Sequence, residues 1–241
     1  MSVFAAFADL VGHLADLIQP LFGATAAAVA IVLFTALVRL LVHPLSRAAA
    51  RGQKARTALQ PKIAELRAKH AGDPERLRKA VVELHTEEKV SPLSGLLPGL
   101  CQLPAFFLLY HLFSSTTIDG GTNALLTHRL FAAPLGGRWA DALGGAGMFG
   151  PAGLVYGGLF ALVAAVAFFN YRRTRRTLAA SAPVTAAADG EQVPGLGAIT
   201  KVMPFMSFFT LFTVAVVPLA AALYVVTSTT WSAVERAALY R

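Results

Sequence analysis

Apolar residues in this chain fall into long runs separated by basic stretches, and the runs predict helices. The first pattern is periodic. Val3, Phe7, Leu10, Leu14, Leu17 and Leu21 recur at helical spacing with Phe4, Val11 and Ile18 beside them, while Asp9, His13 and Asp16 share the other face. Residues 1–22 therefore read as an amphipathic helix, either flat on a membrane surface or packed on the rest of the fold. With no Lys or Arg in residues 2–22, and no small-residue cleavage pattern after them, a cleaved signal peptide is not expected.

Residues 24–42 are apolar over about the twenty residues that cross roughly 30 Å of hydrocarbon, so 23–43 is the first predicted span. Its one ionised group is Arg39. A guanidinium keeps its proton, and its cost in lipid runs from about 2.5 kcal/mol upward. Two escapes are open. Arg39 lies about 6 Å of helix rise before His43, near enough for its stem to snorkel to the interface. Alternatively it faces a water-filled cavity inside a bundle.

Residues 44–92 are polar. Between 44 and 90 stand eleven Lys or Arg against six Asp or Glu, which places this segment in the cytoplasm by the positive-inside rule. Ala55, Leu59, Ile63 and Leu66 form one apolar stripe, and Leu77, Val81 and Leu84 another. Between them Gly72 can close one helix, Asp73 can cap the next, and Pro74 suits its first turn. The segment is thus a helical hairpin, with Pro44 and Ser91-Pro92 expected to break the helix at its two roots.

Residues 93–113 form the second span, with Gln102 between Pro98 and Pro104. An amide at that depth serves a helix-to-helix hydrogen bond or a polar site. Residues 114–150, rich in Gly, Thr and Ala, read as an outer loop in which Trp139 is an interfacial anchor candidate. The third span, 151–170, ends in Asn170-Tyr-Arg-Arg-Thr-Arg-Arg176, an inside signal, and 171–198 is a cytoplasmic loop ending in a small-residue linker. Residues 199–231 are apolar over roughly 50 Å of helix, too long for one span. Pro218 should divide them into spans 199–217 and 218–234, followed by a tail, 235–241.

Composition agrees. Of 241 residues 56% are hydrophobic and only 14% charged, with a mean hydropathy of +0.59, too apolar for a soluble surface of this size. The expected fold is an all-α polytopic membrane protein with five spans, N-terminus outside and C-terminus inside. The net charge of +8 suits anionic headgroups or nucleic acid. Cys101 is the lone cysteine, which excludes an internal disulfide. No phosphate loop, HExxH or GxSxG occurs, and the six histidines lack metal-ligand spacing, so neither enzymatic chemistry nor a cofactor is expected. No internal repeat stands out, which weighs against an inverted-repeat transporter.

Three local signatures resemble the YidC family of membrane-protein insertases, related to the mitochondrial Oxa and chloroplast Alb proteins. They are Leu59-Gln-Pro-Lys-Ile-Ala-Glu-Leu66, the stretch 91–107 with Pro98, Gln102 and Pro104, and Lys201-Val-Met-Pro-Phe-Met206 with Pro218-Leu-Ala-Ala-Ala-Leu-Tyr224. The resemblance implies a bundle around a hydrophilic groove, open to cytoplasm and lipid and closed outside, with Arg39 inside it. Gln102 and Tyr224 match groove positions of the family. The third span lacks a Trp, so Tyr156 stands in as its groove candidate, and no Asp or Asn follows Ser228. Implied partners are nascent membrane proteins, with Arg172, Arg173, Arg175, Arg176, Arg236 and Arg241 as weak ribosome or headgroup contacts. Membrane lipids and the general secretion channel are further partners, and DNA is not one. The implied location is a bacterial plasma membrane. The competing reading is a channel or small-anion transporter using Arg39 as a binding charge.

Overall fold

The structure, a computed structural model, describes residues 3–88, 97–145, 147–186 and 202–239. It is helical over most of that length. Helix α1 (Val3–Phe22) turns through a 3-10 segment, Gly23–Thr25, into α2 (Ala26–Ala58). Gly23 makes the reversal with φ of +54°, a conformation that favours glycine. Val11 and Ala15 of α1 bury against the alanine-rich start of α2, and Phe7 meets Phe34 edge-on at 5.8 Å. Leu10, Leu17 and Leu21 on the same helix stay exposed. Thus α1 packs on the bundle along one edge and keeps a second apolar edge outside.

Helix α2 runs unbroken through Pro44 to Ala58, contrary to the break expected there. A proline removes one intrahelical hydrogen bond, and near a span's end water or neighbouring side chains can satisfy the freed carbonyl. The break comes instead at Leu59. The hairpin then consists of α3 (Gln60–Lys69) and α4 (Pro74–Glu87). Asp73 caps α4 as its sequence predicts, accepting from Arg76 N at 3.0 Å, with Pro74 in the first turn. Among the described residues, Leu59, Ile63 and His85 are the hairpin's buried side chains, beside Ala50. The second root, Ser91-Pro92, lies outside the described residues.

Helix α5 (Leu97–Ser114) leads into a loop ordered by two short antiparallel ribbons, β1 (Thr117–Ile118) with β2 (Gly121–Thr122) and β3 (Arg129–Leu130) with β4 (Ala133–Pro134). Along α5, residues 97–102, 104 and 105 are described by backbone alone. The first ribbon turns through Asp119 and Gly120, both at positive φ, as a tight two-residue hairpin requires. A short helix α6 (Trp139–Gly144) precedes α7 (Pro151–Ala186), which continues well past the expected end of the third span. After residues 187–201, a 3-10 segment (Met203–Phe208) leads into α8 (Phe209–Val216). An extended Val217 beside Pro218 divides it from α9 (Leu219–Leu239).

Helix α9 is the hub. Residues Leu219 to Val226 are all buried, as expected for a helix that is apolar all round, because α2, α5, α7 and α8 surround it. The outward faces of the surrounding helices carry large exposed apolar side chains, among them Leu37 and Leu41 on α2, Phe168 and Phe169 on α7 and Phe212 on α8. Apolar patches of that extent call for a non-aqueous neighbour. A stretch within Phe4–Lys69 and the helix Pro151–Leu178 are long and apolar enough to cross a membrane, and Met203–Val216 is a shorter apolar run.

Candidate functional site

The two ends of the bundle differ. At the loop end, backbone groups are tightly matched. Helix α9 begins with N–H groups that have no partner within the helix; Leu219 N donates to Gly137 O and Ala220 N to Leu135 O, each at 2.9 Å. Tyr156 on α7 donates its hydroxyl to the same Gly137 carbonyl at 2.6 Å, and its ring packs on Trp139. Asn123 is buried, donates to Leu112 O (2.8 Å) and Ser115 O (3.0 Å), and accepts from Leu125 N. These bonds tie the loop across the ends of α5, α7 and α9. Tyr156 therefore belongs to this plug, not to the surroundings of Arg39, because it stands one turn and a half into α7 from the loop end. Trp139 is likewise partly buried in the plug, against Tyr156 and Phe160.

Toward the other end, α2 and α9 meet along a polar seam. Arg39 Nη2 donates to Ser228 Oγ. One turn along, His43 Nδ1 lies 2.5 Å from a Glu235 carboxylate oxygen, with the Glu235 side chain only 10% exposed. Tyr224, one turn before Ser228 on α9, is buried with its ring about 6 Å from those of Phe106 and Phe113 on α5. Arg39 is half-buried, and its charge also interacts with Tyr224 and Glu235. The guanidinium thus donates to a hydroxyl on a neighbouring helix and lies within the field of a carboxylate on that same helix, instead of reaching only outward. Of the sequence candidates, Arg39 and Tyr224 come together here. Gln102 lies in the part of α5 described by backbone alone. Ser228, His43 and Glu235 were not singled out by sequence, although the hydroxyl run Ser228, Thr229, Thr230 and Ser232 in an apolar helix was a readable signal.

Beside this seam, at the hairpin end, lies a cavity of about 910 Å³. Its wall comes from the end of α2, from α7, from the 3-10 segment with α8, and from α9. On α7 the lining residues Val163, Val166, Ala167, Asn170, Arg173, Thr174 and Thr177 follow one helical face. Tyr171, on another face, packs on Phe205 and Phe208 and fixes the 3-10 segment to α7. Thr229, Ser232 and Arg236 continue the wall on α9. Arg236 donates from Nε to Ser232 O at 3.0 Å and from Nη2 to Asn170 Oδ1 at 3.4 Å.

The basic cluster of α7 is thereby divided. Arg173 lines the cavity, as does Arg236 from α9. Arg172 lies over the Phe168 ring at 5.6 Å and Arg175 over the Tyr171 ring at 5.8 Å, while Arg176 is exposed. Arg241 is outside the described residues. Among the described residues, no group of three or more His, Cys, Asp or Glu is placed to hold a metal ion.

The sequence profile of the 60Kd inner membrane protein family matches residues 17–241. Among curated proteins, the chain is 38% identical over 104 residues to a protein of Clostridium perfringens (strain 13 / Type A) named membrane protein insertase YidC, covering 43% of this chain and 44% of that one. Proteins of the same name from Anaeromyxobacter sp. (strain Fw109-5) and Polynucleobacter asymbioticus are 44% identical over 81 residues and 36% identical over 101 residues. Those matches cover 34% and 42% of this chain, but only 15% and 18% of the relatives, so the chain matches less than half the length of each.

Proposed function

Because the chain belongs to the 60Kd inner membrane protein family, which includes the YidC insertases, we propose that it is a membrane-protein insertase. The observation that carries this reading is Arg39 held in a polar seam beside a large cavity, with the opposite end of the bundle plugged by hydrogen bonds. A short hydrophilic segment of a nascent membrane protein leaves water at a cost of about 2–7 kcal/mol for each polar group left without a partner. A wet, polar-lined cavity partway across the bilayer lowers that cost by offering hydroxyls and water, with the Arg39 charge on the seam beside it and not in its wall. The client's apolar segment then passes into lipid along the exposed helix faces, driven by its own burial and by the membrane potential.

In this reading α2, α5, α7, α8 and α9 provide the five spans, and α8 with its 3-10 segment is short enough to thin the bilayer locally. The N-terminus is outside, the basic hairpin and C-terminus are cytoplasmic, and the exposed edge of α1 meets the outer interface. Tyr224, and Gln102 on α5, complete the groove. The hairpin is a mobile cover over its mouth. Arg172, Arg175, Arg176 and Arg241 give weak ribosome contacts, and the general secretion channel is a further partner.

Insertion of single-span clients into proteoliposomes tests the reading. Arg39→Ala should slow a client with an acidic translocated tail, and Arg39→Lys should largely preserve its rate. Normal insertion of every client by Arg39→Ala would remove the electrostatic role. For the hairpin, amides of residues 59–84 should exchange faster in lipid than those of α2 residues 26–43. Equal protection would make the hairpin a fixed part of the bundle.

A further inference from the structure

Two contacts hold the seam between α2 and α9, and the second brings a negative charge into it. Arg39 and His43 stand one turn apart on α2, while Tyr224, Ser228 and Glu235 fall on one face of α9. Arg39 donates to Ser228 Oγ, and His43 Nδ1 donates to Glu235 Oε1 at 2.5 Å. The second contact lies on the hairpin side of the first, by about 6 Å of rise along α2 and about 10 Å along α9. The Glu235 side chain is only 10% exposed, and a carboxylate withdrawn from water needs donors or a cation. His43 supplies a donor, and the Arg39 charge lies in the carboxylate's field. Arg236, the next residue, lines the cavity, donates there to Ser232 O and Asn170 Oδ1, and adds a like charge within reach of Arg39.

We propose that Glu235, tied by His43 to the helix that carries Arg39, is a built-in counterion that sets how strongly the seam selects acidic client segments. The inference rests on the insertion reading and deepens it. A carboxylate in a client's hydrophilic segment gains from Arg39 only in competition with the carboxylate already beside it. A like charge at a binding site weakens acids and leaves neutral segments untouched, so it acts on specificity more than on capture in general. Its place matters as well: a segment entering from the hairpin end meets Glu235 before Arg39. Arg39 is thereby kept from holding an acidic segment too tightly to let it move on. Glu235 is in this sense a positioning and specificity residue, acting through the charge of Arg39.

Photocrosslinking of arrested nascent chains to the full chain in proteoliposomes tests it, with two single-span clients that differ only in one Asp or Asn of the translocated tail. E235Q removes the charge and keeps an acceptor for His43 Nδ1. The protein concentration for half-maximal crosslinking of the Asp client should fall roughly two- to fivefold, the range of one partly screened charge pair. That of the Asn client should stay the same, and E235D, which keeps the charge, should leave both unchanged. In an R39M background E235Q should give no such gain, since nothing then draws the client's carboxylate to the seam. An equal shift for both clients, no shift for either, or a gain of the same size in R39M would overturn the inference and leave the insertion reading standing. No crosslink of either client to the wild type would overturn both. Should E235Q fail to fold, E235T is expected to show the same Asp-specific gain, and its absence there would be equally fatal.

Discussion

Removing the Arg39–Ser228 contact in a double-mutant cycle separates a guanidinium built into the bundle from one that merely snorkels. Arg39→Met keeps the apolar stem and deletes the charge. Ser228→Ala deletes the hydroxyl that accepts from Arg39 Nη2. A hydrogen bond to a charged group contributes about 1.5–3 kcal/mol in water-soluble proteins. Interhelical hydrogen bonds in membranes average about 0.6 kcal/mol and reach about 1.7, because the dissociated helices find other partners. Arg39 is half-buried and also interacts with Tyr224 and Glu235, so part of its interaction survives loss of Ser228. The expected coupling is therefore near the upper membrane figure, about 1–1.5 kcal/mol. Reversible unfolding in mixed detergent micelles, followed by circular dichroism of the wild type, both singles and the double, measures it. A coupling within about 0.3 kcal/mol of zero, the scatter expected of independent sites, would refute the seam and return Arg39 to the snorkelling alternative.

Three further outcomes follow from contacts elsewhere. Asn123→Ala removes two donors and an acceptor from a buried position, and should destabilise the loop end by about 1–3 kcal/mol, read as faster proteolysis of residues 115–137 with α2 intact. Asp73→Ala should cost about 1 kcal/mol in α4 helicity through loss of its cap, measured as faster amide exchange at Arg76 and Leu77. Lys62 is exposed, and its hydrogen bond and charge interaction with Glu88 hold its ammonium above the usual lysine range. A cation with a raised folded value contributes fully below about pH 10.4 and loses that contribution as pH rises through the folded value. NMR titration of Lys62 should therefore shift toward the usual value in Glu88→Gln, and an unchanged titration would dissolve the pair.

Much of this fold was legible because membrane helices announce themselves by length and apolarity. Arg39 stood out because a lone charge in an apolar run needs a partner, and the cap at Asp73 followed from short-range turn chemistry. Pro218 was legible for a similar reason: it sits in an apolar run too long for one span, and Val217 beside it is extended. Pro44 misled because a local rule met the end of an apolar run inside a continuous helix, where water and neighbours can satisfy a freed carbonyl. Ser228, Glu235 and the plug around Tyr156 were hidden because they depend on which helices become neighbours. Arg39 and Ser228 are 189 residues apart, and no periodicity connects them. Even a helical face can be overlooked when its chemistry is mixed: Asn170, Arg173, Thr174 and Thr177 share one side of α7, but the run of arginines drew attention to charge instead of spacing.

Helix α9 explains why the two ends of the bundle can serve different purposes. Its first eight residues are buried on every side and its first two N–H groups are bound by the loop, so opening that end would expose apolar surface and unpair backbone donors together. Its second half changes character on two faces: Ser228 and Glu235 meet α2, while Thr229, Ser232 and Arg236 meet the cavity. Hydroxyls and charges there exchange protein partners for water at small net cost, since a typical hydrogen bond contributes only about 1 kcal/mol once both alternatives are solvated. Motion is consequently cheaper at the hairpin end than at the loop end. A segment admitted from the hairpin side would meet a compliant polar wall first and a closed apolar plug last, and lateral exit toward lipid would disturb fewer bonds than passage straight through.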